Sequence, residues 1–285
     1  MKGSYQKRFF KILSEKLAER DIYSDNVFYC LANAMQHTSD TFYRFYNSKK
    51  LRNPIIIEER NQAISQGTTG LSTWSAAYLL SNYLLQLQND LQASADSNRE
   101  FRILELGAGC GLAGIAVASH FPNIRLTTTD CDENVLQQLK ANVKNNFGEE
   151  NFIHEVRELD WLKTSENDVI NEKFGMIIAA DVIYDPELLE AFLNTVTLVL
   201  RRNSEAKAIL AFKERNPDTF KLFMDTLARS KLEVTMKART SSTDPFETKI
   251  LTGNGERVMD NILPPDELLN NFWIFEMRLK EENRS

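Results

Sequence analysis

Ile103-Leu104-Glu105-Leu106-Gly107-Ala108-Gly109-Cys110-Gly111-Leu112-Ala113-Gly114 reads as a buried strand, a glycine-rich turn and the first turns of a helix. Glycine lets the backbone turn tightly and approach a ligand closely, because no Cβ intervenes. The free N–H groups at the start of the helix suit an anionic group such as a carboxylate or phosphate. Glu105 stands two residues before the first glycine. A carboxylate there can face the ammonium of S-adenosylmethionine, a group absent from NAD. Tight turns before helices use the same residues, so the downstream strand ends have to decide the reading.

From Phe101 the pattern alternates short apolar runs with amphipathic ones. Strands are expected at 101–106, 124–130, 153–159, 174–180 and 206–213, and helices at 112–120, 132–145, 186–201 and 217–229. That rhythm implies a parallel sheet covered on both faces. Two later strand-like runs, 231–237 and 272–279, are joined by a polar stretch with no clear helix, which suits an antiparallel hairpin at the edge of the sheet. Upstream, residues 4 to 48 read as helical, Ile55-Ile56-Ile57 as a strand and Leu71 to Leu87 as an apolar helix. Residues 88–100 read as a polar loop. The expected division is a helical extension over 1–54 and a catalytic domain over 55–285.

In an open parallel sheet, ligands bind beyond the carboxyl ends of the strands, near the switch in strand order. Each expected strand end carries suggestive chemistry. Asp130 closes the second strand, twenty-three residues after Gly107, where a carboxylate can accept from both ribose hydroxyls. Asp160 and Trp161 follow the third, an acid for an adenine amino group and an indole to wall the pocket. Ala180-Asp181-Val182-Ile183-Tyr184 follows the fourth. Each has an ordinary structural alternative. Asp130 reads also as a helix N-cap, Asp160 and Trp161 as a loop acid beside a core indole, and Asp181 and Tyr184 as the start of the helix containing Pro186. Four such ends in succession favour a nucleoside cofactor.

The bulk properties narrow the rest. A formal net charge of -6 argues against broad capture of nucleic acid and leaves a basic protein partner open. Three scattered cysteines suit neither a disulfide framework nor a metal site, and the three histidines form no ligand cluster. Cys110, Cys131 and His154 read as structural residues. No leader pattern opens the sequence, and no apolar run nears the roughly 18 residues of a membrane span. A reduced, cytoplasmic setting is the expectation.

These residues together resemble the seven-strand, S-adenosylmethionine-dependent protein-lysine methyltransferases of family 16, over about residues 55 to 280. The family's acid-x-x-Tyr signature is matched by Asp181-Val182-Ile183-Tyr184, and its Trp ahead of the glycine loop by Trp74. Its Gly-x-Gly segment is matched by Gly107-Ala108-Gly109, its ribose acid by Asp130, its adenine-side Trp by Trp161 and its strand-four Ala by Ala180. The segments Ile64 to Trp74 and Arg215-Asn216-Pro217-Asp218-Thr219-Phe220 are similar to those of the family's elongation factor 2 lysine methyltransferases. Glu158 to Lys163 resembles a different branch.

The resemblance implies a Rossmann-like class I α/β fold with a seven-stranded, mostly parallel sheet and an antiparallel C-terminal hairpin. It also implies S-adenosylmethionine as cofactor, no metal, and a protein substrate, elongation factor 2 being the suspected one. Asp181 and Tyr184 are then the catalytic candidates. Trp74, Glu105, Gly107, Ala108, Gly109, Asp130, Asp160, Trp161 and Ala180 are the cofactor-binding ones. Three rivals are a small-molecule or nucleic-acid methyltransferase, a non-catalytic binding module, and an NAD-dependent oxidoreductase. The last is disfavoured by Glu105 and by the Asp181/Tyr184 pair.

Overall fold

The computed structural model describes residues 3–36, 41–60, 68–87, 100–151, 153–165 and 172–281. Strand β3 (Phe101–Leu106) pairs in parallel with β4 (Ile124–Asp130) on one side and β6 (Met176–Ala180) on the other. Beyond β4 lies β5 (Glu155–Glu158), and beyond β6 lies β7 (Lys207–Lys213), both parallel to their neighbours. The chain therefore runs outward from β3 in one direction and returns to continue in the other. That reversal opens a crevice between the carboxyl ends of β3 and β6.

Alternation along the strands sends side chains to two cores. Leu104, Leu106, Ile177, Ala179, Leu210 and Phe212 face one cluster, with Phe192 and Val196 of α6 (Leu189–Leu200) and Phe223 of α7 (Pro217–Arg229). Ile103, Met176, Ile178, Ile209 and Ala211 face the other, with Leu79 and Leu80 of α3 (Ser75–Leu85) and Val117 of α4 (Leu112–His120). Two-sided burial is why these strands read as continuous apolar runs.

The antiparallel end of the sheet differs from the expected edge hairpin. Strand β11 (Phe272–Leu279) inserts between β7 and β8 (Leu232–Ser241), antiparallel to both. The polar stretch between them contains β9 (Glu247–Thr252) and β10 (Gly255–Asp260), which carry the sheet outward to nine strands in the order β10-β9-β8-β11-β7-β6-β3-β4-β5. β10 leaves five of its six residues exposed, so it lacks the apolar face that marks a strand in sequence.

The helical reading of 4–48 also needs correction. Helices α1 (Gly3–Ala18) and α2 (Asp25–Gln36) are followed by a strand, β1 (Thr41–Tyr46), paired antiparallel with β2 (Ile55–Arg60). The two side chains that β1 buries, Phe42 and Tyr46, are four apart, a spacing that a helix face and a strand face share. This ribbon crosses residue 54. Residues 61–67, and with them the first part of the stretch leading to Trp74, lie outside the described residues, as do 88–99 of the expected loop.

A helix takes the place of a further strand beside β2. Along α5 (Glu133–Phe147), Gln138, Asn142 and Asn146 recur every four residues and so share one face. Asn146 Nδ2 donates to Ile56 O (2.7 Å) and its Oδ1 accepts from Ile56 N (2.9 Å). Asn142 does the same at Glu58 (3.1 and 2.7 Å) and also donates to Cys110 O (2.9 Å). Gln138 Nε2 donates to Glu58 O at 2.9 Å. Asn142→Ala would strand the Glu58 N–H and weaken two buried carbonyl contacts. It should cost about 2–3 kcal/mol in chemical denaturation, with a smaller loss for the more exposed Asn146→Ala.

Candidate active site

The turn after β3 is built on glycines that nothing else could replace without displacement. Gly107 sits at φ 62°, and a Cβ there would lie 2.9 Å from Val182 and 3.2 Å from the Trp161 ring. Gly109 sits at φ 54°, and its Cβ would lie 3.1 Å from Gly70 O. Two backbones thus cross at van der Waals contact, the glycine turn and the segment leading to Trp74. Asp130, at the end of β4, holds the turn from the other side: its carboxylate accepts from Gly109 N (3.1 Å), Cys131 N (2.9 Å) and Asp132 N (3.3 Å). The N-cap of α5 is Asp132, which accepts from Asn134 N and Val135 N. Asp130 is therefore free of the capping role. Burial pushes its carboxyl up from the usual range.

Above this turn opens a cavity of about 520 Å³, within the range of small-molecule sites. Every site residue expected from the sequence lines it: Trp74, Glu105, Gly107, Ala108, Gly109, Asp130, Asp160, Trp161, Ala180, Asp181 and Tyr184. Glu105 is buried and its Oε2 has no hydrogen-bond partner among the described residues. Burial pushes its carboxyl up to about 8. A Cβ on Gly114 would approach that oxygen to 2.4 Å, so a helical glycine reserves the room for the acid.

At the far wall Trp161 packs edge-on against Phe192, 5.2 Å between centroids, and its Nε1 is buried without a partner among the described residues. Asp160 is held by its own turn, accepting from Leu162 N at 3.0 Å, and pairs with Lys163 at 2.8 Å. Its hydrogen bond with Lys163 holds its carboxyl below the usual range.

Asp181 continues from β6 with a left-handed backbone, φ 61°, and its N–H donates to Ala211 O at 2.8 Å. The turn of helix after it is capped by Asp185, which accepts from Glu187 N; Asp181 and Tyr184 are not its cap. A non-glycine residue in this conformation costs roughly 1–2 kcal/mol, and inter-strand pairing holds it. Arg215 grips the buried carboxylate with both nitrogens, Nη1 to Oδ1 at 2.6 Å and Nη2 to Oδ2 at 2.5 Å. Lys213 N adds a third donor at 3.3 Å. The guanidinium lies 5.2 Å over the Trp74 ring, whose Nε1 donates to Thr69 O. Tyr184 stands exposed at the rim, and desolvation of its hydroxyl at the cavity mouth raises its pKa.

Sequence reading left Thr69, Thr73, Asp132, Val182 and Leu188 out of the lining. They face the cavity only because their segments cross the strand ends, and no residue type marks that. Cys110 is buried beneath the turn, donating weakly to Gly70 O, and burial pushes its thiol up. His154 accepts from Leu126 N through Nδ1, with burial lowering it to about 4. Both are structural, as expected. Among the described residues no group of three or more His, Cys, Asp or Glu could hold a metal.

The family model described as lysine methyltransferase matches residues 49–230. This chain belongs to the lysine methyltransferase family. It is 31% identical over 189 residues to the protein-lysine N-methyltransferase EEF2KMT of Mus musculus, covering 62% of this chain and 54% of that one. The human EEF2KMT is 31% identical over 188 residues, 62% of this chain and 55% of that protein. The protein-lysine N-methyltransferase EFM3 of Saccharomyces cerevisiae is 28% identical over 207 residues, 70% of this chain and 59% of that one. The chain spans little more than half the length of these relatives.

S-adenosylmethionine is the cofactor of this methyltransferase family, and the cavity fits it. An orphaned buried carboxylate oxygen suits an ammonium, a second acid suits hydroxyls, and a glycine cradle leaves the space a Cβ would fill. Gly107→Ala, at positive φ and against the Trp161 ring, should destabilise the fold by about 1–3 kcal/mol. In calorimetric titration it should weaken cofactor binding by roughly tenfold or more.

Proposed function

We propose that this chain is a protein-lysine N-methyltransferase that transfers methyl from S-adenosylmethionine to a lysine of elongation factor 2, in the cytoplasm. The observation that carries the reading is one cavity running from Asp130 and Trp161 to Asp181 and Tyr184 at its rim. The names of the EEF2KMT relatives support the substrate. The catalytic domain is assigned to 55–285, with 1–54 as an extension suited to substrate recognition.

When bound, S-adenosylmethionine supplies a sulfonium methyl: the lysine nitrogen's lone pair forms the N–C bond as the C–S pair returns to sulfur, and the lysine's proton passes to water. The chain's residues position and exclude, which supplies much of the rate in such a displacement. Glu105 receives the cofactor's ammonium, Asp130 its ribose hydroxyls and Asp160 its adenine amino group. Trp161 and Trp74 wall the pocket, and Gly107, Ala108, Gly109 and Ala180 let backbone approach. Asp181 and Tyr184 orient the incoming lysine. A protonated lysine, with a reference pKa of about 10.4, has no lone pair to attack with.

Pairing Glu105 with an ammonium requires its carboxylate form, whereas burial keeps it protonated up to about 8 in the free protein. Binding below that pH must therefore expel a proton. Cofactor affinity should rise by about tenfold per pH unit toward 8 and fall again above it, as the cofactor's own α-amino group, with a reference pKa of about 8, loses its proton. Titrations in buffers of different ionisation enthalpy would report the released proton, and Glu105→Gln should flatten the rise.

Tritiated methyl transfer into a methyl-depleted eukaryotic lysate tests the function. One labelled band at the size of elongation factor 2 is expected. Asp181→Asn, which keeps the left-handed backbone, should lower that label by on the order of 100-fold while sparing cofactor affinity. A band of another size would overturn the substrate; cofactor binding with no protein label would overturn lysine transfer.

A further inference from the structure

The grip of Arg215 on Asp181 bears on how lysine enters the site, and the inference rests on the lysine-transfer reading above. A lone, buried carboxylate beside the target lysine would be counterproductive. It would stabilise the ammonium and raise the lysine pKa by about 1–3 units, just where a free lone pair is needed. Asp181 is not alone. A bidentate guanidinium saturates one edge of it, and Lys213 N adds a bond to Oδ1. Such a fork fixes orientation as well as charge.

We propose that Arg215 is a positioning residue that neutralises Asp181, so that the site receives its target lysine as the free amine. The paired carboxylate still has lone pairs to accept an N–H, and the pair as a whole carries no net charge. Arg215 is itself backed by the face of Trp74. Its raised pKa, caused first by the hydrogen bond to Asp181, keeps it charged throughout the working range.

The surrounding charges do not duplicate this role. Lys213 is paired with Glu267, and Glu267 also accepts from Ser75 at 2.6 Å. Asp185 caps the next helical turn. Glu105 and Asp130 line the cavity at the end of β3 and β4, and Tyr184 is neutral until high pH. With Arg215 removed, no other cation in this set is directed at the Asp181 carboxylate.

The test is the pH profile of kcat, which reports groups in the substrate-bound enzyme, for methyl transfer into the protein that wild type labels, for wild type, Arg215→Gln and Arg215→Lys. In Arg215→Gln the acid limb should move up by about one unit, with activity recovering at alkaline pH. Arg215→Lys, which keeps the charge, should hold the limb near that of wild type. Thermal melts and cofactor titration check that fold and cofactor site persist, which is expected because Arg215 is partly exposed. An equal loss at every pH would mark Arg215 as merely structural and overturn the proposal. Faster transfer without Arg215 would mark it as an obstruction and overturn it too. If wild type labels no protein, the lysine-transfer reading falls and takes this proposal with it; superimposable profiles from an active wild type remove the role of Arg215 alone.

Discussion

Two stretches of backbone touch at the base of the cavity with no side chain between them. Gly70 and Gly109 meet there because neither carries a Cβ, and the cavity floor depends on that contact. The turn after β3 can then sit under the strand ends, held by Asp130 from β4, while the segment from Thr69 to Trp74 closes over it. Cys110 and Gln138 fill the space beneath, tying this crossing to α5 and through α5 to the β1–β2 ribbon. Substitution at either glycine would part the segments that bring Trp74, Glu105 and Asp130 together.

The charges of the site fall into two regimes. Glu105 and Asp130 are acids that burial pushes toward their neutral forms, a state costly to ionise without a partner. Asp181 is also buried but already matched by a fork of donors. One end of the cavity is thus prepared to gain a positive charge, while the other has its negative charge already answered. That asymmetry comes from what the strand ends meet: Glu105 of β3 has an oxygen with no partner among the described residues and Asp130 of β4 has only backbone N–H groups, whereas Asp181 after β6 meets the guanidinium of Arg215, just past the end of β7.

Much of this was legible in the sequence where a physical signal is strong and local. Two-sided burial made the parallel strands stand out, and their ends marked the cavity, so the eleven expected site residues share one lining. The features that stayed hidden had weak or ambiguous signals. Strand β10 is exposed almost throughout and lacks an apolar face. Phe42 and Tyr46 have a spacing that serves helix and strand alike. The amide row Gln138, Asn142 and Asn146 drew no reading from the sequence, because an amide pairing with backbone names no particular residue type. Arg215 stood in the sequence only as part of a segment similar to the family's; its ion pair with Asp181 shows once β7 is laid beside β6.

The left-handed backbone at Asp181 has a consequence for how such a site can diversify. Among side chains other than glycine, aspartate and asparagine tolerate this conformation best, while β-branched and bulky ones are strained in it. The position therefore admits a narrow exchange, carboxylate for carboxamide, at almost no cost to the turn. A carboxamide presents both a donor and an acceptor and carries no charge, so it would suit a neutral planar amine, whereas a carboxylate suits an aliphatic one. One backbone geometry can in this way host two classes of nitrogen nucleophile, divided by the replacement of a single oxygen with nitrogen.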